Sequence, residues 1–308
     1  MGSKIPRALI QGLGGITALQ YEALSTSPQP YCDSHVCNAE ISFVKRHLRK
    51  CADQTIEVLP CYRLKKSSEH HQNCKYNLKG ALSVVARESD SDLFGAIENA
   101  RYELRLHILQ NAYWESTKAA FERKARPPRP DTPEKSYSSH GKLSTYLKTL
   151  KQILELRNLC ANNEELKELI TLDHKGMKVP WSRFFFDHEN LHTFLKYYPK
   201  DQYTIPLAIN GHIDRIEQSS TQRKYHTLKL VPPFVSPNAQ NVIKKPQPQI
   251  VVTTPDLATH FNPGEEYIFF GIWKPSISYK KTEKYHWENQ RIEMYIKNSE
   301  HFIRCEEN

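Results

Sequence analysis

The chain has 308 residues, is 39% hydrophobic and 25% charged, and carries a net charge of +9. That composition excludes wholesale disorder, and the length suits about two domains with real cores. No apolar run approaches the ~18 residues that a membrane span needs, and residues 1–11 hold no signal-peptide core. The expectation is a cytoplasmic chain that is not exported.

Seven cysteines are present: Cys32, Cys37, Cys51, Cys61, Cys74, Cys160 and Cys305. The number is odd, and five fall between positions 32 and 74. A secreted disulfide framework favours an even set, so the cluster points to metal. The positive charge is uneven, with +5 on residues 1–88 and only +1 on residues 201–308. A basic balance suits a polyanion such as nucleic acid, and equally describes a solvated surface.

Along the chain, Gly12-Leu13-Gly14-Gly15 predicts a tight turn between two short strands. Thr17 stands where a dinucleotide fingerprint needs Gly, and no phosphate-cradling P-loop occurs.

Residues 1–88 are expected to form a zinc-ribbon-like module. Cys32-x4-Cys37 and His71-x2-Cys74, or His70-x3-Cys74, make two close pairs, which is how structural zinc takes four tetrahedral ligands from two turns. Zn2+ there would supply folding energy to a segment with few large apolar groups. His70 and His71 are equal candidates, and Cys51, Cys61 and His35 are spares. The alternative is reduced thiols in a small core. This order of residues, with Ser68-Glu69-His70-His71 and Cys74-Lys75-Tyr76-Asn77, resembles the zinc-ribbon modules of bacterial competence-type DNA-processing proteins. The likeness covers the N-terminal segment alone. A nuclease domain follows in such proteins. Here no Asp plus Glu-x-Lys pair lies on a strand, so the resemblance implies nucleic-acid handling and not cleavage.

Residues 89–200 read as helical. Leu93, Ile97, Ala100, Leu104 and Ile108 recur at helical spacing, as do Leu143, Leu147, Leu150 and Leu154. A Pro-rich loop at 126–135 separates them. Asn163 to Ile170 predicts a short helix and Trp181 to Tyr198 another. Within the latter, His188-Glu189-Asn190-Leu191-His192 matches H-E-x-x-H, whose two His share one helical face in zinc peptidases with Glu as base. No third His follows at 198, which is Tyr, and Leu191 and Leu195 share that face, so a partly buried helix histidine is the plainer reading.

From residue 201 the pattern changes to strands near 203–217, 225–231, 249–254, 267–273 and 291–296, divided by Pro, Gly and Asn. Five strands over 201–308 suit a small OB-like β-barrel. Gln218 to Pro255 holds no acid. Arg223, Lys224, Tyr225, Lys229, Lys244, Lys245, Trp273 and Lys274 interleave cations with rings, a combination by which single-strand binders track phosphates and stack bases. In a small barrel such rings also serve as core. The fold expected is therefore α+β: a zinc-ribbon-like module, a helical middle and an OB-like barrel. The function expected is binding of single-stranded DNA or RNA with structural zinc. A protein–protein adaptor and a zinc peptidase at 188–192 are the alternatives.

Overall fold

The computed structural model describes residues 4–51, 54–65, 67–99, 101–114, 137–159, 164–188, 190–198, 205–218, 225–281 and 286–305. The Pro-rich loop at 126–135 and Cys160 lie outside them.

The N-terminal strands are short: β1 (Lys4–Ile5), β2 (Arg7–Ile10), β3 (Gly14–Thr17), β4 (Pro30–Cys32), β5 (Ile41–Val44), β6 (His47–Lys50), β7 (Thr55–Val58) and β8 (Cys61–Leu64). They form two three-stranded sheets, β1-β8-β5 and β3-β2-β4, and the hairpin β6-β7. The expected turn between β2 and β3 is present. Gly12 and Gly14 take φ of +82° and +76°, a region that a Cβ makes costly. Helix α1 (Ala18–Glu22) starts at a capping box, in which Thr17 Oγ1 accepts from Gln20 N and Gln20 Oε1 accepts from Thr17 N. The core here is small. Ile5, Ile10, Ile41, Tyr62 and Tyr76 surround Cys32, Cys37 and Cys74.

A second core runs from Leu78 to Cys305. Its first layer is a four-stranded sheet, β9 (Phe94–Ala96), β10 (Tyr102–Arg105), β11 (Ile170–His174) and β12 (Met177–Val179), ordered β12-β11-β10-β9. β10 and β11 are parallel. The chain between them contains α3 (residues 106–114) and α4 (Tyr137–Leu159), which confirms the leucine spacing at 143–154. A helix at Glu164–Leu169 meets the expectation for that segment. The helical reading of 93–108 is corrected: Phe94, Tyr102 and Leu104 enter the core from β9 and β10, and only 106 onward is helical.

The expected helix at 181–198 is also corrected. Trp181–Arg183 and Leu191–Thr193 are single 3-10 turns, and only Phe194–Tyr197 is α-helical. Between them Phe185–Phe186 forms β13, parallel to the following strand, because three adjacent phenylalanines, Phe184 to Phe186, are all fully buried. Asp187 and Asn190 then close a reciprocal turn, each side chain accepting from the other's backbone N–H at 3.1 and 2.8 Å.

The remaining strands are β14 (Leu207–Gln218), β15 (His226–Leu230), β16 (Val242–Val252), β17 (Glu266–Gly271), β18 (Lys274–Lys281), β19 (His286–Ile296) and β20 (Phe302–Arg304). With β13 they make an eight-stranded sheet, β18-β19-β16-β15-β14-β17-β20. The five-stranded barrel is thus corrected to a larger sheet that does not close, since β20 takes the outer edge of β17. Only Ile272 and Trp273 separate β17, paired to β14, from β18, paired to β19, so one bent run of chain serves both flanks. On β19, Gln290, Ile292, Met294 and Ile296 face inward, the period-2 pattern of a half-buried strand. Gly271 leaves room beside them: a Cβ there would sit 2.8 Å from Met294 Sδ, so the methionine side chain would have to shift. The helical layer is pinned to the end of this sheet by Ser144 Oγ donating to Glu300 at 2.6 Å and by Tyr113 Oη 3.1 Å from His301 Nδ1. Among the described residues no helix is long and apolar enough to cross a membrane.

Candidate metal centre and nucleic-acid interface

Cys32 ends β4, and Cys37 follows a turn in which its N–H donates to Ser34 O at 2.8 Å. Cys32 N–H donates to Ala39 O at 2.9 Å, which folds this first pair of thiols inward. The second turn is closed by Cys74 N–H donating to His71 O at 2.8 Å and precedes α2 (Leu78–Glu88), capped by Asn77. The two turns bring Cys32, Cys37, His70 and Cys74 together, with one ligand atom from each all within 4.8 Å of one another. Cys32 Sγ lies 3.7 Å from Cys74 Sγ, and His70 Nδ1 lies 3.4 Å from Cys37 Sγ and 3.5 Å from Cys74 Sγ.

These separations fit a zinc ion. Tetrahedral bonds of ~2.3 Å to sulfur and ~2.0 Å to nitrogen give edges of about 3.8 Å between sulfurs and about 3.5 Å from sulfur to nitrogen. The surroundings also suit thiolates. Cys37 Sγ accepts from His71 N–H and Cys74 Sγ from Tyr76 N–H, both at 3.5 Å. Burial pushes the Cys37 thiol up, but the backbone N–H groups of His71 and Ala39 and its hydrogen bonds with the other cysteines outweigh it and hold the thiol below its usual value. Burial raises the Cys32 thiol, which works against its ionisation, and lowers His70, which keeps the imidazole neutral, the form that binds metal. Four protein ligands leave no open position, so a zinc ion here supplies structure rather than reactivity.

Of the two histidines proposed for this site, His70 joins the cluster. His71 is exposed, with Nδ1 accepting from Asn73 N–H at 3.2 Å. Among the spares, Cys51 is buried elsewhere and His35 is exposed. The pair at 188 and 192 shares no α-helical face, because that helix does not form. His192 is exposed, and His188 is half-buried, its pKa lowered by burial and by nearby Arg49 and His212. Glu189 lies outside the described residues.

The basic residues of the large sheet are spread unevenly. Arg223 and Lys224 lie outside the described residues. Trp273 is 2% exposed, and its indole N–H donates to Leu207 O at 3.1 Å, so it is core and presents no face for stacking. Tyr225 is half-buried, and Lys274 is exposed opposite Glu293. Lys229 is held by Glu217 at 3.6 Å and by Gln249. Lys244 is exposed and Lys245 half-buried at the start of β16. In the sequence Lys280 and Lys281 form a second basic cluster interleaved with Tyr279 and Trp287, and the strand pairing shows which of them stand beside Lys244 and Lys245. In the β16-β19-β18 ladder, Ile243 aligns with Trp287 and Lys280, and Lys244 with Glu288 and Tyr279. The next rows align Val242, His286 and Lys281, and Lys245, Asn289 and Ser278. Tyr279 is 77% exposed, and Lys280, Lys281 and His286 are exposed with it. Side chains alternate across the ladder, so Lys245, Lys280 and Trp287 share one face of this sheet end, and Lys244, Lys281, Tyr279, His286 and the acid Glu288 share the other.

No family model matches the chain, and no curated protein matches it. Among solved structures, a Plasmodium falciparum SSB complex with ssDNA is similar at 15% identity and a TM-score of 0.21, over 33% of this chain and 94% of that one. A likeness at that TM-score carries no argument about function.

Proposed function

We propose that this chain binds single-stranded nucleic acid, DNA or RNA, at the β16-β19-β18 end of its large sheet, and that a structural Zn2+ on Cys32, Cys37, His70 and Cys74 holds its N-terminal module in shape. The observation that carries the reading is the exposed end of this ladder, with Lys280 beside Trp287 on one face and Lys244 and Tyr279 flanking Glu288 on the other. Directly paired side chains stand ~4.5–5.5 Å apart. That separation, between Cβ atoms, is close enough for a lysine to hold a phosphate while a base stacks on the neighbouring ring. Lys245 and Lys281 extend the positive potential one row to either side. Lys274 and Lys229 contribute less, being opposed by Glu293 and Glu217. A cytoplasmic setting belongs to the same proposal, since reducing conditions keep the three thiols available to metal.

The test is a gel-shift with single- and double-stranded DNA and RNA at two salt concentrations. Phosphate contacts make affinity fall steeply between ~50 and ~200 mM salt. Retardation of single strands that weakens with salt supports the reading, and no retardation at low salt rejects it.

A further inference from the structure

We propose that the hairpin β6-β7 of the metal module is a second contact for the same single strand; the inference rests on the function proposed above. The chain entering and forming β6 reads Lys45-Arg46-His47-Leu48-Arg49-Lys50. Arg46 is engaged within the fold, Nε lying 2.6 Å from Glu22 and Nη1 3.2 Å from Glu57. Lys45, Arg49 and Lys50 form no ion pair among the described residues, and Lys45 and Lys50 are exposed. Lys45 before β6 and Lys50 at its end therefore present exposed charge with no acidic partner among the described residues, which suits contact with phosphates.

This hairpin is not a free appendage. Cys51 makes an antiparallel bridge to Pro233, and the Lys50 ammonium sits 4.3 Å above the Phe234 ring. Arg49 lies near enough to His188 to help depress its pKa, after burial. Pro233 and Phe234 belong to the connection from β15 to β16, the strand that carries Lys244 and Lys245. Direct packing thus ties the hairpin to the element that leads into the sheet contact. A strand long enough to engage both gains the second set of phosphate contacts without a second loss of rigid-body freedom. Lysine ammonium groups, point charges on flexible stems, suit phosphates better than they suit the shaped surface of a protein.

The experiment is fluorescence anisotropy with labelled oligo-dT of roughly 8 and roughly 30 nucleotides, lengths that bracket a single-module site. The full chain is compared with the double variant Lys45→Gln, Lys50→Gln and with Lys79→Gln, an exposed lysine of α2, as control. Two lost phosphate contacts on a single strand lower the slope of log K against log salt by about 1.4. That loss is expected for the long oligonucleotide in the double variant only, with zinc content unchanged. An unchanged slope while the wild type binds overturns this inference and spares the sheet site. Competition by polyglutamate as strong as by oligo-dT reassigns the hairpin to an acidic protein and also overturns it. A wild type that binds neither oligonucleotide overturns both proposals.

Discussion

The sulfurs of Cys32 and Cys74 lie 3.7 Å apart although 42 positions separate the two residues in the chain. That is the edge of a tetrahedron around zinc and well beyond the ~2.05 Å of a disulfide. The distance excludes a disulfide and fits two thiols that either share a metal or touch in the reduced form.

One zinc per chain is expected in purified protein, and the variants Cys32→Ser and Cys74→Ser are expected to lose it. Elemental analysis checks this. With the ion gone, the small core around Ile5, Ile41 and Tyr62 has little else to hold it. Chelation is therefore expected to unfold this module before the rest, visible as early loss of amide protection over residues 4–76. Zinc retained in both cysteine variants and lost only in His188→Ala would favour a site at 188–192 instead.

Acid is expected to destabilise the fold. Burial lowers the pKa of His301, whose Nδ1 lies 3.1 Å from Phe270 O, and burial likewise lowers His174 and His188. The unfolded chain binds these protons at about pH 6.5, more readily than the folded one. Stability contributed by the neutral rings is thus fully present above that pH and declines as pH falls toward the depressed native values. Denaturant titrations from pH 7.5 to 5 should show the decline, with a shallower slope in His301→Phe measured against its own stability at pH 7.5.

Trp273 is expected to matter for stability and not for binding. Its ring is buried where β17 bends into β18, and its N–H is satisfied by Leu207 O. Trp273→Ala should cost ~3–5 kcal/mol, and Trp273→Phe less. At a temperature where Trp273→Phe remains folded, its oligonucleotide affinity should equal that of the wild type.

Trp287 and Tyr279 should behave in the opposite way. Replacing either with Ala is expected to weaken single-strand binding by ~1–3 kcal/mol, the usual worth of one stacked base. Tyr279 is 77% exposed, so its removal should leave the melting temperature within a degree or two, as is common for surface positions. Calorimetry alongside anisotropy separates the two effects.

Some of this architecture was legible in the chain because local chemistry decides it. Gly12 and Gly14 specify the turn between β2 and β3, and leucines at helical spacing specify α4. The two ligand pairs were legible from spacing, since each occupies a single turn. The choice of His70 over His71 was not, because it depends on which ring the second turn carries inward. Between 93 and 108, apolar residues at steps of three and four also satisfy two short strands, and tertiary pairing decided the matter. β18 escaped notice because its sequence, Lys-Pro-Ser-Ile-Ser-Tyr-Lys-Lys, is mostly exposed and lacks an apolar stripe. With β18 unseen, the alignment of Lys280 with Trp287 could not be anticipated.

The central claim is tested most directly by charge reversal on both faces of that end of the sheet. Anisotropy of a labelled oligo-dT would be followed from low to physiological salt with the zinc-loaded wild type and with the variant Lys244→Glu, Lys280→Glu. The account predicts salt-sensitive binding by the wild type and at least a tenfold loss in the variant, with zinc content and melting temperature retained. Equal affinity in the two proteins, or no binding by the wild type at the lowest salt, would contradict it.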